Sequence, residues 1–186
     1  MKAITLQMLV NILENMVIEG QDSLTGHTLL DYYGFTEISG GYYRTVYTHK
    51  DFPEAVFKVL WNEHLNGDGA PNDNVRENAL YLYTTSNGIN LGMPMAGVLC
   101  ISDKGYAMAQ EKITGQVYGM TLDGESAEEW DYDLSKPYSD AIEAQYLELY
   151  PNYRLCGDVH CSNIIVRPDG ERVIVDYAGS SIMQIA

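Results

Sequence analysis

Asp158, Asn163 and Asp176 fall within one stretch near the end of the chain, CGDVHCSNIIVRPDGERVIVDYA. Asp158 and Asn163 are five positions apart, and Asp176 follows Asn163 by thirteen. Between the last two, NIIV and RVIVD flank RPDGE, an x-Pro-Asp-Gly-x turn of the kind that closes two strands. A hairpin of that length returns Asp176 to the neighbourhood of Asn163. Two converging oxygen-bearing side chains suit Mg²⁺, which keeps several waters and takes few protein ligands plus substrate phosphates. Asp158 would stand beside such a metal, placed to accept a proton or to orient a hydroxyl. Cys156, His160 and Cys161 share the stretch, but they lack a fourth ligand and a C-x-x-C knuckle, which argues against zinc.

The elements that must position these groups can be read from hydrophobic spacing. Leu6, Leu9, Val10, Leu13, Met16 and Val17 lie on one helical face, and Gly20 is a natural stop. A second short helix is expected from about Leu24 to Tyr33, ended by Gly34. YYRTVYT and AVFKVLW are rich in aromatic and β-branched residues and are separated by KDFPE, which reads as a hairpin. HLNGDGAPNDN is a loop, and VRENALYLYTT has helical spacing behind an Asn/Asp cap. MAGVLCI and GYAMAQEKI, joined by SDKG, read as a second hairpin. Pro137 is placed to start a helix carrying Ile142, Tyr146 and Leu149.

With this layout the chain resembles the protein-kinase-like superfamily: D-x-x-x-x-N, a hairpin, then an aspartate in place of the first letter of D-F-G. The resemblance spans about residues 36 to 180 and implies roles upstream. Lys58 in AVFKV stands where V-A-I-K places the lysine that holds the nucleotide phosphates. Glu77 in VRENALYLY stands where its glutamate partner is expected. Gly40, Gly41 and Tyr42 occupy the loop that covers the phosphates. Val56 lies on the lysine's strand, and Gln110 and Glu111, with Lys112, lie near the connection that holds adenine. The resemblance therefore implies ATP and Mg²⁺ as cofactors. It assigns Asn163 and Asp176 to the metal, and Asp158 with Lys58 and Glu77 to catalysis. His160 takes the place of the usual catalytic-loop lysine, either contacting the transferred phosphoryl group or bracing the loop. Within the superfamily the likeness is to the short early serine/threonine kinases of lytic podovirus-type bacteriophages, which pair a glycine-poor loop with D-x-H-x-x-N. Aminoglycoside and choline phosphotransferases share the latter variant.

The expected fold class is α+β. It is a minimal two-lobed kinase-like fold, with N-terminal helices over 1–35, a small antiparallel-sheet lobe with its helix over 36–114, and a truncated C-lobe over 115–186 carrying the catalytic hairpin. Gly157 replaces the arginine that would read a phosphorylated activation loop, and Asp176-Tyr177-Ala178 replaces D-F-G. Only ten residues follow Asp176, with no A-P-E, so selection of an acceptor is expected to use other surfaces.

Composition bounds the partners. With 26 acidic and 11 basic side chains the net charge is -15, which disfavours nucleic acid and favours host proteins with basic surfaces. Nine acids crowd 123–148 with Lys136 the only base, either a solvated face or a docking surface. No apolar run approaches the roughly 18–20 residues of a membrane span. The start lacks the pattern of a signal peptide and the three cysteines are an odd number, so a cytoplasmic setting is expected, that of the bacterial host if the chain is phage-encoded. Phosphoryl transfer to protein Ser or Thr, including the chain itself, is the leading expectation. The rivals are a kinase-like scaffold that binds and inhibits a basic host or defence protein, and a small-molecule phosphotransferase.

Overall fold

The Leu6–Val17 stripe is a helix, α1, Leu6–Ile18, in the computed structural model of the chain. The structure describes residues 4–20, 29–40, 44–61, 72–86, 88, 94–118, 153–156, 163–177 and 181–184. Thr5 caps α1, its hydroxyl accepting from Met8 N–H at 3.2 Å, and Gly20 turns the chain away with φ +67°. Residues 29–33 are helical, and Gly34, at φ +87°, ends that turn. The residues expected to start this helix lie outside the described ones. No described helix is long and apolar enough to cross a membrane.

Five strands form one antiparallel sheet in the order β1-β2-β3-β5-β4: β1 Phe35–Gly40, β2 Thr45–His49, β3 Phe52–Val59, β4 Val98–Ile101 and β5 Ala107–Glu111. Both expected hairpins are present, β2–β3 and β4–β5. Strand β1 extends the sheet beyond the sequence reading, as an edge strand with a register shift between Glu37 and Ser39. Between β3 and β4 the chain forms helix α2, Asp73–Ser86, capped by Asn72, whose Oδ1 accepts from Val75 N–H.

Alternation along β3 assigns the two faces of the sheet different tasks. Ala55, Phe57 and Val59 join Tyr47, Phe35, Ala107 and Ala109 in a core closed by Leu9, Val10, Leu13, Met16 and Val17 of α1. The alanines at 107 and 109 leave room for the helix to lie against β5. Phe35 meets Phe57 edge to face at 5.1 Å. Each large apolar side chain buried this way contributes roughly 1.5–3 kcal/mol. His49 is buried in the same region. Its Nε2 lies 2.8 Å from the Tyr33 carbonyl and its Nδ1 accepts from Asp51 N–H, so the ring is tied to the backbone and serves structure. Val56 and Lys58 occupy the alternate positions, away from this core.

One buried polar contact ties α1 to the far hairpin. Glu14, 6% exposed, accepts through Oε1 from Ser102 Oγ at 2.6 Å, Lys104 N–H at 2.8 Å and Tyr106 N–H at 3.4 Å. The carboxylate thus satisfies the donors of the β4–β5 turn.

The chain divides into two compact units, Met1–Ala79 with Gly97–Lys112, and Leu80–Ala96 with Ile113–Ala186. Helix α1 shares its core with the sheet, and residues 80–96 group with the later chain. In the second unit, β6 Gln116–Val117, β8 Ile164–Val166 and β9 Arg172–Ile174 form a sheet in the order β6-β8-β9. Separately, β7 Tyr153–Cys156 pairs antiparallel with β10 Ser181–Gln184, which the sequence reading did not anticipate. The helix expected from Pro137 and the acidic 123–148 segment lie outside the described residues. In coarse form the chain is a mixed α and β protein built on antiparallel sheets.

Candidate active site

Lys58 lies on β3 between Val46 of β2 and Met108 of β5 in the register. One step along, Val56 lies between Thr48 and Gln110. Lys58 Nζ is 2.7 Å from Glu77 Oε1, and the two side chains are 5% and 0% exposed. The pairing expected from sequence order is therefore made, by a strand and the helix that follows it.

The Glu77 carboxylate holds more than Lys58. Gln110 Nε2 donates to the same Oε1 at 2.8 Å, and Arg44 Nη1 donates to Oε2 at 2.6 Å. The same Arg44 nitrogen reaches Asn74 Oδ1 at 3.1 Å, and Asn74 Nδ2 donates to the carbonyls of Lys58 at 3.3 Å and Gly105 at 3.0 Å. Asn74 thus spends its oxygen on a donor and its amide nitrogen on two acceptors, which fixes its orientation. Gln110, expected beside adenine, is 1% exposed, with its amide on Glu77. Glu111 accepts from Gly97 N–H at 3.3 Å, while its own N–H donates to the Gly97 carbonyl at 2.7 Å. Gly40 ends β1; Gly41 and Tyr42 lie outside the described residues.

In the second unit the β8–β9 hairpin closes through the turn the sequence announced. Gly170 adopts φ +89°, and Asp169 Oδ1 accepts from Glu171 N–H at 3.0 Å. Ile164 pairs with Ile174, and Val175 N–H donates to the Asn163 carbonyl at 2.9 Å. Asp176 is therefore one residue from the position facing Asn163, and both are half-buried. On its other side Tyr177 is 2% exposed and donates through its hydroxyl to the Ala96 carbonyl at 2.9 Å. With both neighbours anchored, the backbone that carries Asp176 is held. The hairpin register thus brings the backbones of Asn163 and Asp176 near each other. Asp158 and His160 lie outside the described residues.

Arg44, Asn74 and Tyr177 are absent from the sequence-based site. Arg44 reads as one polar residue in a strand-like run and Asn74 as a helix cap. Tyr177 reads as a bulky replacement whose hydroxyl has no visible target.

No protein-family model matches the chain, and no curated protein matches it. Among solved structures, a match is found to the streptomycin-ATP-APH(2")-IIa ternary complex, at 11% identity and a TM-score of 0.44, covering 98% of this chain and 74% of that one. A superposition this loose leaves the functional reading to the residues themselves.

Proposed function

We propose that the protein is an ATP- and Mg²⁺-dependent phosphotransferase of protein-kinase-like design, acting on serine or threonine of proteins. The observation that carries this reading is the buried Lys58–Glu77 pair, 2.7 Å between a strand lysine and a carboxylate on the following helix. Burying charges is costly, and an apolar group of the same volume often serves stability equally well. A lysine held in this way is more economically explained by what its charge does for a ligand, here the phosphates of a nucleotide.

Asn163 and Asp176 would hold the metal. Bound Mg²⁺ supplies neutralisation of charge on the phosphate oxygens during transfer. Lys58 binds phosphate oxygens, Glu77 orients Lys58, and Asp158 orients the acceptor hydroxyl. Val56, Gly40, Gly41 and Tyr42 would enclose the nucleotide, with Glu111 near its base and His160 beside the catalytic aspartate. In phosphoryl transfer the protein's work is positioning and electrostatic stabilisation, so each of these groups should matter strongly. The net charge of -15 favours acceptors with basic surfaces, such as host proteins of a phage-encoded kinase in the bacterial cytoplasm.

The test is incubation with γ-labelled ATP, Mg²⁺ and a bacterial lysate, comparing the parent with Lys58→Met and Asp176→Asn. Label in discrete proteins for the parent alone is the expected result. Label confined to small molecules would overturn the protein acceptor, and no nucleotide-dependent label or binding would overturn the phosphotransferase.

A further inference from the structure

We infer that Arg44 is a positioning residue for the nucleotide-binding lysine: by holding Glu77 Oε2 it fixes where Glu77 Oε1 presents Lys58. This rests on the phosphotransferase reading for its functional consequence.

A glutamate held at one oxygen alone can still rotate about its terminal torsion, which is broad. Here Oε1 accepts from Lys58 Nζ and Gln110 Nε2, and Oε2 accepts from Arg44 Nη1. Turning the carboxylate would break contacts at both oxygens. Arg44 is itself 7% exposed. Its Nη1 also binds Asn74, three residues before Glu77 on the same face of α2, so it grips the helix at two successive positions.

Asn74 in turn holds the Lys58 carbonyl, and Asn72 Nδ2 donates to the Lys104 carbonyl at 2.9 Å. The first turn of α2 is thus fastened to β3 and to the β4–β5 turn. The Lys58–Glu77 pair is therefore assembled by the fold itself, with Arg44 as the bracket on the far side of the carboxylate. Its loss should act on the ligand through Lys58, without Arg44 touching the nucleotide.

The experiment compares the parent, Arg44→Met, Arg44→Gln and Lys58→Met. Mg-ATP binding is measured by calorimetry, and the Lys58 Nζ resonance by ¹⁵N-lysine NMR without nucleotide, below the melting temperature of every variant. Arg44→Met is expected to weaken Mg-ATP binding by about tenfold or more and to shift or broaden the Nζ signal. A merely structural arginine would lower the melting temperature and leave the Nζ signal unmoved. Binding by Arg44→Met equal to the parent's, beside a defective Lys58→Met, would overturn the inference. If the parent binds no Mg-ATP, the phosphotransferase reading fails. The Nζ signal then decides: an unchanged signal in the arginine variants overturns the positioning role, and a lost one sustains it. Should Arg44→Met fail to fold, Arg44→Gln is judged by the same outcomes.

Discussion

Lys58 and Glu77 are nineteen residues apart in sequence, and their side chains meet at 2.7 Å where solvent barely reaches either. Because Arg44 shares the carboxylate, removing Glu77 takes a buried anionic partner from two cations at once. Glu77→Ala should therefore cost roughly 3–5 kcal/mol of unfolding free energy, the range for breaking a buried pair from one side. Urea denaturation of the two proteins measures this directly. A loss below about 1 kcal/mol would place the pair in solvent-exposed company.

Glu14 gives a second buried carboxylate, with a different job. It accepts from one hydroxyl and two backbone donors of the β4–β5 turn. Glu14→Ala should destabilise by about 2–3 kcal/mol, since charged acceptors make the stronger hydrogen bonds and their buried donors are left unmet. Hydrogen exchange at Lys104 and Tyr106 should accelerate selectively, and unchanged protection there would contradict the anchoring role.

Gly115 lies against the backbone of β8. A Cβ at this position would run into the Val166 carbonyl oxygen and come within 2.7 Å of its carbon. Backbone cannot swing aside as a side chain can, so Gly115→Ala should cost on the order of 1–3 kcal/mol. Gly170→Ala meets no neighbour but must hold φ +89°, so its cost is one of conformational strain alone. Thermal unfolding of both variants should show two losses, with β6–β8 amide protection reduced only by the first.

Tyr47 makes stability sensitive to alkali. Burial, with the charge of Glu37 adding to it, pushes its hydroxyl up to about 12 from 10.0. The unfolded chain sheds this proton first, so the contribution is whole below pH 10 and is lost as pH climbs toward 12. Between about pH 9 and about pH 11.5 the parent should lose roughly 2 kcal/mol more than Tyr47→Phe. Parallel pH dependences for the two proteins would show that the phenol is not buried in solution.

The sequence made some of this visible and hid the rest for physical reasons. The Leu6–Val17 stripe, the RPDGE turn and the Lys58–Glu77 pair were legible because periodicity, turn chemistry and motif order are local or ordered signals. Glu14 was not, since a glutamate beside Leu13 and Asn15 reads as solvent-facing until the turn it captures is known. Arg44 was hidden in YYRTVYT for the same reason: only the meeting of β2 and α2 gives it a carboxylate. Strand β1 carries a register shift, which breaks the alternation a reader looks for. The β7–β10 pair joins segments distant in sequence, and nothing in YRLC or SIMQ names the other.

Strand β3 acts as a partition. Odd-numbered Ala55, Phe57 and Val59 answer to α1, while even-numbered Val56 and Lys58 answer to whatever occupies the opposite side. Substitutions at the odd positions therefore test packing against the helix, while a substitution at Lys58 tests a buried ion pair. Within these few residues, apolar packing and buried charge are interleaved, so one strand belongs to two different kinds of interior at once.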